Sequence, residues 1–320
     1  KAAVMAAVPN RAVVDGVLLL NKPRGLTSQQ AVSRAKRLFQ ARKAGHTGTL
    51  DPLADGLLPI GLGEATKFSQ FLLDADKRYR ATLCLGAVTT TGDAEGDIIS
   101  EQPVAVTLPQ VAGVLQRFVG PLQQVPPMHA AIKVAGKPLY AYARAGQTLT
   151  REPRSIVIND IQILDFIDKN LTLRVSCSKG TYIRVLAEDI GAALGCGAHL
   201  TALTREGAGP LDLANSVSIT DLEGMTMPHR LERLLPLETF AAGLRRQDVT
   251  ADDERRIFSG QRVDFGGGSV PGLCRLYGAA GVFFGIGEVA AGILTARRLV
   301  TQPAPMVPGQ NGLSNPVVTG

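Results

Sequence analysis

A carboxylate and an imidazole stand five residues apart in a stretch with neither helical nor strand period, Gly45-His46-Thr47-Gly48-Thr49-Leu50-Asp51-Pro52-Leu53-Ala54-Asp55-Gly56. An aspartate such as Asp51 can attack an electrophilic carbon or act as a general base. Pro52 fixes the backbone just after it and disfavours a helical conformation at Asp51 itself, so the carboxylate is presented at a set angle. The glycines at 45, 48 and 56 allow tight turns and close approach to a ligand. Asp55 follows four residues later, and two carboxylates so placed would suit glycoside hydrolysis. A bare Asp-Pro more often only caps a surface turn. Thr47-Gly48 precedes the aspartate, the reverse of the Asp-Thr-Gly order of aspartic proteases. Gly61-Leu62-Gly63-Glu64-Ala65-Thr66-Lys67 is glycine-rich but lacks the Gly-Lys-Ser/Thr ending of a phosphate loop.

Further along, basic and aromatic residues interleave over 121–155: His129, Lys133, Lys137, Tyr140, Tyr142, Arg144, Arg151 and Arg154. Such a segment offers charge to phosphates and flat surfaces to bases; an amphipathic hairpin that simply packs would have the same composition. The chain has 320 residues, a net charge of +6 and an isoelectric point near 9.3. That balance favours a polyanionic partner, since Lys and Arg release counterions when they neutralise phosphates. Cys84, Cys177, Cys196 and Cys274 form no Cys-x-x-Cys pair, so neither a zinc site nor a disulfide framework is indicated and a cytoplasmic setting fits. No apolar run is long enough to span a membrane.

The loop around Asp51 resembles the catalytic motif of the bacterial tRNA pseudouridine-55 synthases, a TruB-type family. Further stretches match the same family in the same order: K-P-R-G-L-T-S at 22–28, G-E-A-T-K-F at 63–68, D-K-R-Y at 76–79, S-K-G-T-Y-I-R at 178–184 and G-C-G-A-H-L at 195–200. The resemblance is dense from Val14 to Arg205 and thins beyond. Thr49 stands where the family has a small apolar residue, and Thr204 where it has a basic one.

The resemblance implies isomerisation of uridine to pseudouridine at position 55 in the tRNA T-loop, with a second role as a tRNA-folding chaperone. The base leaves ribose C1′ through N1, turns and rejoins through C5; no cofactor or metal is called for. Asp51 would act on the ribose, by attack at C1′ or by removal of the 2′ proton. Arg184 would hold Asp51 ionised, although the residue could equally pair with Glu188 on a helix surface. Tyr79 would stack on the uracil and accept the C5 proton. Tyr182 and Leu203 would line the pocket, with Gly48 close to the substrate. His46 would fill the gap left by the flipped nucleotide. Lys22 and Lys67 would contact phosphate or support the loop. The partner would be the T-stem and loop of tRNA, and the protein a monomer.

The elements that must position these residues read as α+β, a mixed and largely antiparallel sheet with helices. Strands are expected over 13–20, 57–62 (interrupted by Pro59), 78–85, 156–166, 171–177 and 199–203. Helices are expected from Thr27, whose capping box closes on Gln30, over 64–73, from Thr107, over 182–194 ending at Gly195, and over 220–235. From about Val249, short strands separated by glycines suggest a small β-barrel, which the resemblance implies to be a PUA-like RNA-binding domain. The expected layout is a flexible start at 1–12 rather than a signal peptide, a catalytic domain over 13–240 with an RNA-clamping insertion at about 121–155, the small β domain over 241–302, and a disordered tail over 303–320.

Overall fold

A computed structural model describes residues 14–301 apart from 131, 267 and 268. The expected flexible start and disordered tail lie outside the described residues. The chain divides into two compact units between Gly243 and Leu244.

The first unit is built on a mixed sheet. Its main strands are β1 (Gly16–Lys22), β2 (Ala44–His46), β3 (Ala54–Leu62), β4 (Lys77–Leu85), β5 (Gly120–Gln124), β6 (Arg154–Ile167), β7 (Asn170–Cys177) and β8 (Ala198–Ala208). They lie in the order β1-β3-β8-β4-β7-β6-β5, with β2 on β3. Neighbours pair antiparallel except β3 and β8, which run parallel. The helices are α1 (Ser28–Leu38), α2 (Ser69–Leu73), α3 (Leu108–Gln116) and α4 (Ile183–Leu194).

Local chemistry explains most of these bounds. Thr27 and Gln30 form a capping box at the start of α1, and Thr107 and Gln110 form one at α3; each satisfies two of the amide groups a helix start leaves open. Gly195 ends α4 with φ of 80°, the left-handed conformation that favours glycine. In β4, Ala81, Leu83 and Leu85 face the core.

Three expectations need correction. Pro59 lies within a continuous strand β3 rather than interrupting it. Beyond β1, β8 pairs with Ala54–Gly56 and β2 with Ile60–Leu62, so the side of β3 that faces away from β1 is left without a strand at Pro59 and no ladder donor is missed. The stretch 64–73 is a 3-10 turn, Gly63–Lys67, followed by the short α2. The helix expected over 220–235 is two short ones, Ile219–Gly224 and Met227–Leu231, parted by extended backbone at Met225; Pro228 sits in the first turn of the second, where its missing N–H costs nothing.

Among the described residues two large apolar cores lie in this unit, beside a small cluster of Leu85, Cys196 and Ala198. One gathers Leu18, Leu20, Val32, Leu58 and Ile60; the other gathers Leu83, Leu115, Ile158, Leu173, Leu186 and Ile190. Tyr79 and Leu203 pack against both and so mark the seam between them.

Two lysines are drawn inside. Lys22, wholly buried, donates to the carbonyls of Pro23 at 3.0 Å and Leu26 at 2.7 Å. Lys77 donates to the carbonyls of Leu72 at 3.2 Å and Leu73 at 2.6 Å, tying the end of α2 to β4. Burial lowers each to a pKa of about 8.

The second unit is a five-stranded half-barrel sheet consistent with a PUA-like domain. Its strands are β9 (Arg245–Asp248), β10 (Val263–Asp264), β11 (Gly272–Tyr277), β12 (Phe283–Ala290) and β13 (Ile293–Leu299), ordered β9-β11-β12-β13-β10. A helix, Ala251–Phe258, contributes Ile257 to a core with Leu276, Phe284, Ile286 and Leu294.

Two predictions test this fold. A Cβ on Gly191 in α4 would fall 2.1 Å from the Ala198 amide nitrogen, whereas one on Gly113 in α3 would meet nothing. Gly113→Ala should therefore stabilise the protein by about 0.5–1 kcal/mol through helix propensity. Gly191→Ala should destabilise it by about 1–3 kcal/mol because overpacking outweighs that gain; urea unfolding of both variants reads the two signs. For Lys22, a folded pKa of about 8 against 10.5 unfolded means that the unfolded chain holds more protons between those values. Its contribution to stability thus rises with pH across that window. Lys22→Met should flatten the rise relative to wild type when unfolding is measured at pH 8 and at pH 10, and an unchanged slope would refute the assignment.

Candidate active site

The Asp51 loop is fastened on both sides of the residue that carries the chemistry. The Leu50 amide donates to Ser28 Oγ at 2.7 Å, and that hydroxyl donates back to the Leu50 carbonyl at 3.0 Å. The Pro52 carbonyl accepts from the Gly25 amide at 2.7 Å, and the Thr47 amide donates to the Pro59 carbonyl at 3.2 Å. Leu50 and Leu53 are buried in the two cores. Asp51 keeps 39% of its side chain exposed.

That carboxylate opens into a cleft of about 340 Å³, walled by Leu50, Tyr79, Tyr182, Arg184, Leu203 and Arg205 among others. The size lies at the small end of ligand pockets and suits one nucleoside. A larger depression, about 650 Å³ beside Leu85, Gln102 and Lys169, shares none of these residues.

Arg184 faces Asp51 across the cleft floor, Nη2 to Oδ2 at 3.1 Å. It is only 6% exposed and is claimed from behind by Asp93, Nη1 to Oδ2 at 3.4 Å, a carboxylate that is itself buried. The carbonyls of Thr91 and His129 accept from the same guanidinium at 3.3 and 3.2 Å. The helix-surface alternative for Arg184 therefore fails: its side chain points inward, and Glu188 contributes only through charge. The net effect on Asp51 differs from expectation. Burial pushes its carboxyl above the ordinary value and Asp93 adds to this, while Arg184 and Lys22 pull it back without cancelling the rise.

One transverse row of the sheet brings Tyr79 and Arg205 to the cleft. Pairing puts Lys22, Gly56, Arg205, Tyr79 and Val175 side by side across β1, β3, β8, β4 and β7. Gly56 must be glycine: its φ is 97°, and a Cβ would fall 2.5 Å from the Arg205 carbonyl oxygen. Burial raises the Tyr79 phenol, against which the charge of Arg205, its partner across the β8–β4 pairing, acts. Tyr182, the N-cap of α4, is held through its backbone, whose amide donates to Gln124 Oε1 at 2.7 Å.

The remaining expected residues divide. Gly48 lines the cleft with φ of 127°, and Leu203 lines it beside Tyr79. His46 sits one step outside the lining, its Nδ1 accepting from the Gly48 amide at 3.2 Å, and burial and Arg205 both favour its neutral form. Lys22 donates to carbonyls of the turn at 23–26 and lies outside the cleft lining. Lys67 is not brought to the cleft; it pairs with Glu64 at 2.7 Å. Asp55 lies on β3 beside Thr204, outside the lining, which removes the paired-carboxylate hydrolase reading. Among the described residues no cluster of three or more His, Cys, Asp or Glu is placed to hold a metal. The segment 121–155 contributes His129, Ala130 and Ile132 to one wall.

Sequence reasoning missed Asp93, Arg205 and Ser28 as contributors. Ser28 stood inside a matching motif and Arg205 at the edge of the dense resemblance. Asp93 lay in a turn-rich acidic loop with no signal of its own.

Comparison with known proteins places this site. Residues 36–183 match the TruB family pseudouridylate synthase N-terminal domain, 184–241 the tRNA pseudouridylate synthase B C-terminal domain, and 248–300 the pseudouridine synthase II TruB C-terminal region. A tRNA pseudouridine synthase B from Methylobacillus flagellatus is 51% identical over 290 residues, covering 90% of this chain and 96% of the relative. One from Dechloromonas aromatica is 53% identical over 288 residues with the same coverage. Among solved structures, a Cbf5-Nop10-Gar1 complex superposes with a TM-score of 0.68 at 26% identity, over 89% of this chain and 85% of that one. An H/ACA RNP bound to a substrate RNA containing 2'-deoxyuridine shares the fold, with a TM-score of 0.69 at 24% identity over 90% of this chain and 85% of that one. With half of its residues shared along nine-tenths of its length, the chain belongs to the TruB family of pseudouridylate synthases.

Proposed function

We propose that this protein isomerises the uridine at position 55 in the T-loop of tRNA to pseudouridine, taking the T-stem and loop as its substrate and working as a monomer in the cytoplasm. The observation that carries the reading is the Asp51–Arg184 pair at the floor of a nucleoside-sized cleft. Isomerisation of tRNA uridine agrees with the activity by which the relatives are named. Four free thiols fit a reducing compartment.

The chemistry follows from the placement. A uridine flipped out of its stack enters the cleft with its ribose toward Asp51. The ionised carboxylate acts at C1′ or on the 2′ proton, and the N1–C1′ bond breaks. The uracil turns, and C5 bonds to C1′ as the carboxylate leaves C1′ or, on the other route, as Asp51 returns the proton to C2′. The C5 proton passes to the phenol oxygen of Tyr79 as that oxygen gives up its own proton to water, and the C5–H electron pair restores the C5=C6 double bond. Arg184 favours the charged Asp51 and Arg205 the charged Tyr79, each against the cost of burial. Tyr79 also presents its ring for stacking, with Tyr182 and Leu203 bounding the pocket. His46, at the margin of the cleft, fills the space vacated in the RNA stack. Clamping of the RNA by the insertion fits the position of His129 and Ala130 on one wall. A tRNA-folding activity would rest on binding alone.

Asp51→Asn should keep tRNA affinity, and any folding activity, while abolishing pseudouridine formation, because an amide is neither nucleophile nor base. Tyr79→Phe should bind normally and lose about a hundred- to ten-thousand-fold in single-turnover rate, the usual range for a positioned proton acceptor. Near wild-type turnover by Asp51→Asn would sink the site assignment.

A further inference from the structure

Gln124 is the last residue of β5, where the chain leaves the sheet before it returns at Arg154, the partner of Gln124 across the β5–β6 pairing. Its side chain is only 5% exposed and meets the start of α4. The Oε1 accepts from the Tyr182 amide at 2.7 Å, and the Nε2 donates to the Tyr182 carbonyl at 3.1 Å. Tyr182 is extended, with φ of −99° and ψ of 107°. Its N–H and C=O can therefore both be served by one planar amide, as a neighbouring antiparallel strand would serve them. The amide fits in one orientation: the Tyr182 N–H needs the oxygen, and the carbonyl needs the nitrogen. That carbonyl also accepts the first helical bond of α4, from the Leu186 amide at 3.1 Å. No side-chain cap bond holds Tyr182 as N-cap, so the clamp comes from Gln124, far away in sequence.

We propose that Gln124 is a positioning residue for the isomerisation: it fixes the backbone of Tyr182, and through it the ring that walls the cleft against the flipped base. The inference rests on the reading above that places Tyr182 at the substrate. Gln124 is absent from the cleft lining, so it acts through Tyr182 and not on the RNA. The rotamers open to a ring depend on φ and ψ of its own residue, so a clamp on both backbone groups narrows the ring's choice before the substrate arrives. Methionine has the same length and would fill the space, but it offers the Tyr182 carbonyl no donor and the amide only a weak acceptor. Glutamate keeps the shape. Protonated, it accepts and donates as the amide does; ionised, it only accepts and sets a negative charge against the Tyr182 carbonyl.

The test measures RNA affinity and single-turnover rate on a saturating T-stem–loop hairpin, below the melting temperature of each variant. Gln124→Met should bind RNA within about threefold of wild type and lose about ten- to a hundredfold in rate, the order expected when a group beside the substrate is misplaced. Added to Tyr182→Ala, the same substitution should cost only about two- to threefold, because the ring it positions is gone. Gln124→Glu should recover toward wild type as the pH falls from about 8 to about 6, since burial favours the protonated carboxyl. Each rate is taken as a ratio to wild type at the same pH, so that titrations common to both cancel. A clamp that only stabilised the fold would lower the melting temperature and leave these rates unmoved. Wild-type turnover by folded Gln124→Met, or an equal cost with and without the Tyr182 ring, overturns the inference. If Tyr182→Ala alone turns over at the wild-type rate, the placement of Tyr182 at the substrate fails, and the inference with it. Should Gln124→Met not fold, Gln124→Glu decides, and a rate ratio that stays flat across that pH range refutes the proposal.

Discussion

Four cationic side chains, Lys22, Lys77, Arg184 and Arg205, are buried around a single cleft. A charge taken out of water is costly unless acceptors surround it. Each of these cations meets that demand by gripping a different piece of chain. Lys22 holds the turn at 23–26, Lys77 the end of α2, and Arg205 the loop at Gly48. Arg184 holds the carbonyls of Thr91 and His129 and the carboxylates of Asp51 and Asp93. The loops that wall the site come from distant parts of the sequence, and interior cations are what bring them together. Removing any one would take a donor from the acceptors it holds, and where those acceptors are buried the loss exceeds the single bond.

The same arrangement sets the electrostatics. Asp93 is sealed beneath Arg184, so Asp51 is the carboxylate of the pair that a substrate can reach. Burial makes its ionised form less favourable than in water, and the cations recover part of that loss. The cleft is rich in positive charge while its reactive group is negative. A phosphate-bearing chain is drawn to such a cleft, and the carboxylate is aimed at the sugar rather than at the phosphates.

Much of the fold was legible because its signals are local. The capping boxes at Thr27 and Thr107, the glycine ending α4 and the alternation in β4 each depend on a few neighbouring residues. What was lost depends on distant partners. Pro59 reads as a strand breaker until one knows that its face of β3 lies between the ends of β8 and β2. The stretch 220–235 has helical composition, but Pro228 and the extended Met225 divide it. In the site, Asp51 stood out through its loop, whereas Arg205 has no local signature. Its role comes from the register Gly56–Arg205–Tyr79, which joins residues far apart in sequence. Arg184 had two equal local readings, and only its burial against Asp93 decides between them.

The central claim is that Asp51, held by these anchors, rearranges a uridine without releasing any part of it. The most direct measurement is nucleotide-resolution mapping of pseudouridine in a transcribed tRNA incubated with the purified protein and no added cofactor, with free uracil assayed in the same reaction. The account predicts conversion of a single T-loop uridine, position 55, with no change in RNA mass and no uracil released. An unmodified T-loop, or liberation of uracil, would contradict it.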